Sequence, residues 1–143
     1  MRIAGLDIGQ ARIGIALSDE RAFLASSVES YHCVGDLQKD AQAVAEKVLA
    51  LGAERVVFGL PKNMNGTEGP AAEQVRAFAQ AFARFAPQLP QDFSDERLTT
   101  VQAQRALIGA GVSRKKRKGV VDKLAAQLIL QNYLDQRGGG HLV

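Results

Sequence analysis

Three carboxylates far apart in the chain, Asp7, Glu96 and Asp122, have ordinary local readings taken singly and a different one taken together. Asp7 sits near the end of the apolar stretch Ile3 to Ile8, and period-two alternation puts it on the face of Ile3 and Gly5. Strand interiors are depleted in Asp, and an unpaired charge on a covered face costs several kcal/mol. The local alternative is that Asp7 opens a turn by bonding the backbone of Gly9. Glu96 follows a predicted strand, where a surface pairing with Arg97 or a later lysine is the ordinary reading. Asp122 falls in the predicted first turn of the last helix, whose N-terminus favours an anion, and Ala125 and Ala126 let that end approach a sheet closely. A strand end, a second strand end and a helix start can meet at one edge of a mixed sheet. Three carboxylates gathered there raise one another's pKa unless cations neutralise them. Oxygen donors without a Cys or His cluster select hard ions, so Mg2+ or Mn2+ is implied. Two such ions about 4 Å apart bind the attacking water and the leaving oxygen of an in-line phosphodiester displacement, which is two-metal nuclease chemistry.

The cationic residues suit such a substrate. Net charge is only +3, yet five consecutive basic residues, Arg114, Lys115, Lys116, Arg117 and Lys118, exceed the whole surplus. Such a run is either a solvated loop or a track for a phosphate backbone, read without sequence preference and mobile until nucleic acid binds. Arg12 and Arg97 are candidate phosphate clamps, with Arg97 alternatively paired to an adjacent acid. Asn63, Asn65 and Thr67, in a loop after the fourth predicted strand, can hydrogen-bond a sugar or phosphate, although a plain strand-to-helix connection explains that loop equally well.

The elements that must position these residues follow from periodicity. Ile3 to Ile8 and Ile13 to Leu17 predict a hairpin reversing at Gly9 and Gln10, and Ser27 to Cys33 adds a third antiparallel strand in which Val28, Ser30 and His32 share a face. Asp36 caps a helix whose stripe runs from Leu37 to Leu51, stopped by Gly52. Arg55 to Leu60 reads as a central strand covered on both faces. Pro70 opens a helix reaching Phe85, with Val75, Phe78, Phe82 and Phe85 as core. Leu89 to Ser94 is a weak strand. Thr99 or Thr100 caps a helix containing Val101, Ala103, Ala106 and Leu107, ended by Gly109 and Gly111. The last helix is predicted over Val120 to Gln136, stopped by three glycines. The order βββαβαβαα predicts an α/β protein: a mixed five-stranded sheet flanked by helices, one domain over residues 1–137 with a flexible tail at 138–143.

Composition bounds the rest. With 143 residues, 46% hydrophobic and 23% charged, the chain reads as an ordinary soluble domain. Its apolar runs are too short for a membrane span or signal peptide, so no membrane partner and a cytoplasmic location are the expectations. The single cysteine, Cys33, excludes an internal disulfide and a cysteine-based zinc cluster, and His32 and His141 are too scattered for a zinc triad.

LDIGQARIGIALSD, FGLPKNMNGTEG, SDERLTT and VDKLAAQLILQNYL, in this order and spacing, resemble the four signature blocks of the bacterial YqgF/RuvX family, over nearly the whole chain. That resemblance implies an RNase H-like fold with strand order 3-2-1-4-5. It also implies acidic site residues at Asp7, Glu96 and Asp122, and a nuclease linked to maturation of precursor 16S rRNA and related to Holliday junction resolvases. Gln10 stands where many members carry Thr, and Ala125 and Ala126 occupy the neighbourhood where related resolvases use a fourth carboxylate. The expected partner is structured RNA or branched DNA, with a symmetric pair of chains if both arms of a junction are cut. Two other classes compete: a nucleic-acid-binding ribosome assembly factor without catalysis, and an ATPase or sugar kinase of the actin type, whose phosphate loop also carries D-x-G but which needs a second domain.

Overall fold

A computed structural model of the chain describes the backbone of residues 1–98 and 114–142 and the side chains of residues 1–97 and 123–137. Its elements are β1 (Ile3–Ile8), β2 (Arg12–Ser18), β3 (Ala25–His32), α1 (Leu37–Ala50), β4 (Arg55–Leu60), α2 (Pro70–Phe85), β5 (Gln91–Asp95), a 3-10 turn over Glu96–Leu98, and α3 (Arg114–Leu142). The helix expected around Val101 to Leu107 lies outside the described residues.

The sheet has the order β3-β2-β1-β4-β5 that the resemblance implies, with β1, β2 and β3 antiparallel and β1, β4 and β5 parallel. Both faces of β1 and β4 are covered, which is why their sequences are nearly continuous in apolar residues. On one face Leu6, Ile15, Val56 and Phe58 pack against α1 and α2. Phe58 meets Phe82 edge-on at 5.6 Å and stacks on Phe93 at 5.7 Å, so the aromatic stripe of α2 is core. On the other face Ile3, Ala16 and Val57 pack against Ala126, Leu130 and Leu134 of α3.

Local chemistry sets the boundaries. Asp36 caps α1 by accepting from the Lys39 amide at 3.0 Å, and Gly52 leaves that helix with φ +82°. Pro90 has no amide proton to give a ladder, so β5 starts one residue later, at Gln91, while the Pro90 carbonyl accepts from Val56.

Two expectations are corrected. Val28 does not share a face with Ser30: the register steps from Ile15↔Glu29 to Ala16↔Ser27, leaving Val28 as the extra residue of a bulge. Ser27 and Ala25 therefore face α3, where the Ser27 hydroxyl donates to Gln127 at 2.7 Å and the Ala25 amide donates to Gln131 at 2.9 Å. The last helix also begins at Arg114, not Val120, and continues through Gly138–Gly140 to Leu142. Lys and Arg are good helix formers, and each glycine costs about 1 kcal/mol relative to Ala, a penalty that does not forbid helix. The basic run is thus the start of α3 rather than a loop, and Asp122 lies in the third turn, beyond the reach of the N-terminal dipole that offered its ordinary explanation.

Candidate active site at the carboxyl edge of the sheet

Register builds this site. Asp7 pairs with Gly14 of β2, and because Leu6 lies beside Phe58, its other flank is Gly59 of β4, which in turn pairs with Ser94 of β5. Side chains paired across a sheet share a face, so Asp7 stands in a trough with glycine on either side. Immediately after β5 the chain turns, and Glu96 reaches back over that trough: its Oε1 lies 2.9 Å from the point a Gly59 Cβ would occupy. Asp7 and Glu96 are 8% and 5% exposed. The fold thus brings two carboxylates eighty-nine residues apart in the chain to one buried edge of the sheet. The hairpin turn is closed by the backbone, with Gly9 N donating to Arg12 O at 2.9 Å. A side chain at Gly9 would stand 2.7 Å from that same oxygen, so the turn needs glycine.

α3 closes the trough from above. Its approach over Gly5 is so tight that a Cβ there would stand 2.6 Å from the Leu130 Cβ, and over Gly59 it would meet Ile129 Cδ1 at 2.4 Å. Ile3 packs with Leu130 and Leu134, and Gly5 with Ala126 and Leu130, so each two-residue step along β1 moves about one turn back along α3. The next step, Asp7, corresponds to the turn at 122–126. Position 122 is seven residues before Ile129 and hence on the same helix face. The Asp122 side chain lies outside the described residues, as do those of Arg114, Lys115, Lys116, Arg117 and Lys118. Among the described residues no group of three or more Asp, Glu, His or Cys is placed to hold a metal.

Around this edge the other candidates divide. Arg12 is on the Asp7 face at the start of β2, since Arg12, Gly14 and Ala16 alternate. Arg97 clamps an acid: its guanidinium donates to Asp95 at 2.7 Å, holding that carboxyl below its ordinary pKa, while Nη1 reaches the Met64 carbonyl at 3.3 Å. Asn63, Asn65 and Thr67 hydrogen-bond one another, with Asn63 Nδ2 to Thr67 Oγ1 at 3.0 Å and Thr67 Oγ1 to Asn65 at 2.6 Å. Their first role is therefore to close the loop in which they sit. That loop is pinned at its far end by a two-pronged Arg76 to Glu68 pair at 2.6 and 2.8 Å. Sequence reasoning missed Gly59, Asp95, Glu68 and Arg76. Only Gly59 carried a usable signal, a glycine inside an apolar strand that marks close approach of another group.

Comparison with known proteins bears on the family and the fold. The family model described as RuvX: Holliday junction resolvase matches residues 1–136. A protein of Leuconostoc citreum is 50% identical over 141 residues, covering 96% of this chain and 97% of its own, and one of Pelotomaculum thermopropionicum is 45% identical over 138 residues, covering 96% and 89%; both are named "Putative pre-16S rRNA nuclease". Among solved structures, Thermus thermophilus RuvC in complex with Holliday junction substrate superposes with a TM-score of 0.59 over 97% of this chain and 96% of its own. A second Thermus thermophilus RuvC structure superposes at 0.54, covering 97% of both chains. At 15% and 19% identity these two similarities establish the fold.

Proposed function

Since this chain belongs to the RuvX Holliday junction resolvase family, we propose that it is a divalent-metal-dependent nuclease that hydrolyses phosphodiester bonds, with 5′-end maturation of precursor 16S rRNA in the cytoplasm as its task. The observation that supports this reading is the burial of Asp7 and Glu96 over the single trough at Gly59. An all-oxygen donor pair fits Mg2+ or Mn2+, and position 122 on the facing turn of α3 offers the third carboxylate. Bound ions would activate water and stabilise the departing oxygen.

The protein's own residues do the rest. Asp7, Glu96 and Asp122 would hold the ions, and the glycine at 59 is what lets Glu96 and Ile129 of α3 approach the sheet beside Asp7. Arg12, on the same face, neutralises a phosphate of the substrate. Arg97 and the loop of Asn63, Asn65 and Thr67 line the approach, and Arg114 to Lys118 track the backbone, so each of these cations replaced by Ala reduces the salt dependence of binding by about 0.7–0.9 in log-log slope. The relatives named for pre-16S rRNA favour RNA over a junction as substrate. Ala125 and Ala126 point the same way: they are fully buried in α3, so that turn carries no further acid.

Labelled precursor rRNA and a four-way DNA junction are incubated with the protein in Mn2+, in Mg2+ and in chelator. The expected result is metal-dependent cutting of the RNA that Asp7→Asn abolishes. Cutting of the junction alone moves the substrate to branched DNA, with two chains acting as a symmetric pair. Salt-sensitive binding that survives Asp7→Asn, with no cutting of either substrate, leaves a non-catalytic assembly factor.

A further inference from the structure

A second concavity, of about 210 Å³, opens on the opposite face of the sheet from the acidic trough. It is walled by Ile8, Leu37 and Phe78, with Cys33, Gln74 and Asp40 as polar members. Ile8 follows Asp7 in β1, so a strand lying across the acidic edge passes the mouth of this cavity at the β1–β2 turn. Asp40 is only 6% exposed. Its Oδ1 accepts from the Tyr31 hydroxyl and from the Val34 amide, both at 2.8 Å. Its Oδ2 takes no hydrogen bond among the described residues. Oδ2 is not among the buried unsatisfied atoms, so it is the oxygen of Asp40 still open to a donor from outside the chain.

We propose that this cavity receives one splayed-out guanine of the bound nucleic acid, read by Asp40. The buried carboxylate repels phosphate and admits a neutral group carrying N–H donors. The volume equals that of about seven waters of liquid, enough for a single base and below the range of pockets for larger ligands. Phe78 and the aliphatic walls supply faces for a planar ring, the usual way an unstacked base is held. Among bases, guanine presents N1–H and its exocyclic amino group side by side. Adenine and cytosine put a ring acceptor beside their amino group, and uracil flanks its single N–H with two carbonyls that a carboxylate repels. Gln74 can serve either polarity on the remaining edge. The inference rests on the nuclease reading, because it needs a strand at the carboxyl edge.

Its test uses binding, in chelator so that nothing is cut. Oligouridine, and the same strand carrying one guanosine, are titrated against the protein, while alkylation of Cys33, the single cysteine and a member of the cavity wall, is followed in parallel. The guanosine strand is expected to bind about tenfold more tightly and to slow Cys33 alkylation, which oligouridine leaves unchanged. Gln74→Trp, which fills the cavity from α2, removes the preference and leaves oligouridine affinity as it was. Asp40→Asn keeps the side-chain shape, and thermal melting confirms that it is folded before its guanosine preference, expected to fall to near unity, is read. Equal affinity for the two strands overturns the cavity assignment and leaves the nuclease reading standing, as does a preference that survives Gln74→Trp. Failure of both strands to bind overturns both.

Discussion

Glu96 Oε1 lies 2.9 Å from where a Gly59 Cβ would stand, and Gly59 is the strand neighbour of Asp7. Glu96 can come this close to the Asp7 edge of the sheet because Gly59 has no side chain. Gly59→Ala drives its methyl group into Glu96 and into Ile129 Cδ1, 2.4 Å from the same point. The fold has to displace one of them, at about 1–3 kcal/mol of stability. Cleavage is expected to fall by about a hundredfold even where the melt shows the protein folded, because a displacement of about 1 Å at a reacting centre costs that much. Steady-state kinetics beside thermal unfolding separates the two effects.

Metal should also be visible without substrate. Divalent ions that bind only the folded chain add about 2.7 kcal/mol at a concentration a hundred times their dissociation constant. Melting of the wild type is therefore expected to rise by several degrees on adding Mn2+ and to return on chelation, whereas Asp7→Asn and Glu96→Gln show little or no rise. Calorimetry with and without Mn2+ checks this, and an equal rise in all three proteins removes the metal from this edge.

Arg97 holds the loop after β4 in place through the Met64 carbonyl, and its fork holds Asp95. Arg97→Lys keeps the charge but loses the two-pronged geometry. KM is expected to rise severalfold with kcat changed less. The lowered pKa of Asp95 has its own signature, because its stabilising contribution is present above the ordinary value of 3.8 and is lost as pH falls through the depressed one. Acid unfolding of Arg97→Lys should begin at higher pH than in the wild type.

The Tyr31 hydroxyl donates to Asp40, and burial first, then that carboxylate, pushes its pKa from 10.0 up to about 12. The folded value exceeds the unfolded one. Tyr31 therefore contributes its full stability below pH 10, and that contribution disappears as pH rises to about 12. Tyr31→Phe is expected to cost about 1 kcal/mol at neutral pH, with the gap to the wild type closing through that alkaline window. Urea unfolding at several pH values measures it.

Asp7 stood out as a candidate because a carboxylate in an apolar strand is unusual, whereas Glu96 alone read as a surface residue and became a candidate only together with Asp7 and Asp122. Gly59 looked like one more residue of an apolar run, although the close approach of Glu96 and Ile129 to the sheet depends on it. The basic run was legible as charge but not as structure, since five cations satisfy a solvated loop and an exposed helix equally. The bulge at Val28 was invisible, because a bulge is set by what the neighbouring strand and α3 require and not by the residue that absorbs it. Asp40 stands between the polar and apolar sides of α1, and periodicity assigns such a position no partner.

The sequence by itself determined the elements, the central place of the two apolar strands, and the residue types available for phosphodiester chemistry, since these follow from local propensity and periodicity. Only the tertiary structure decided the register of β4 on β1 that places Gly59 next to Asp7, and that Glu96 turns back over it. The pairing of strands more than forty residues apart is selected by the burial of both sheet faces at once, and no local stretch of the chain contains that information.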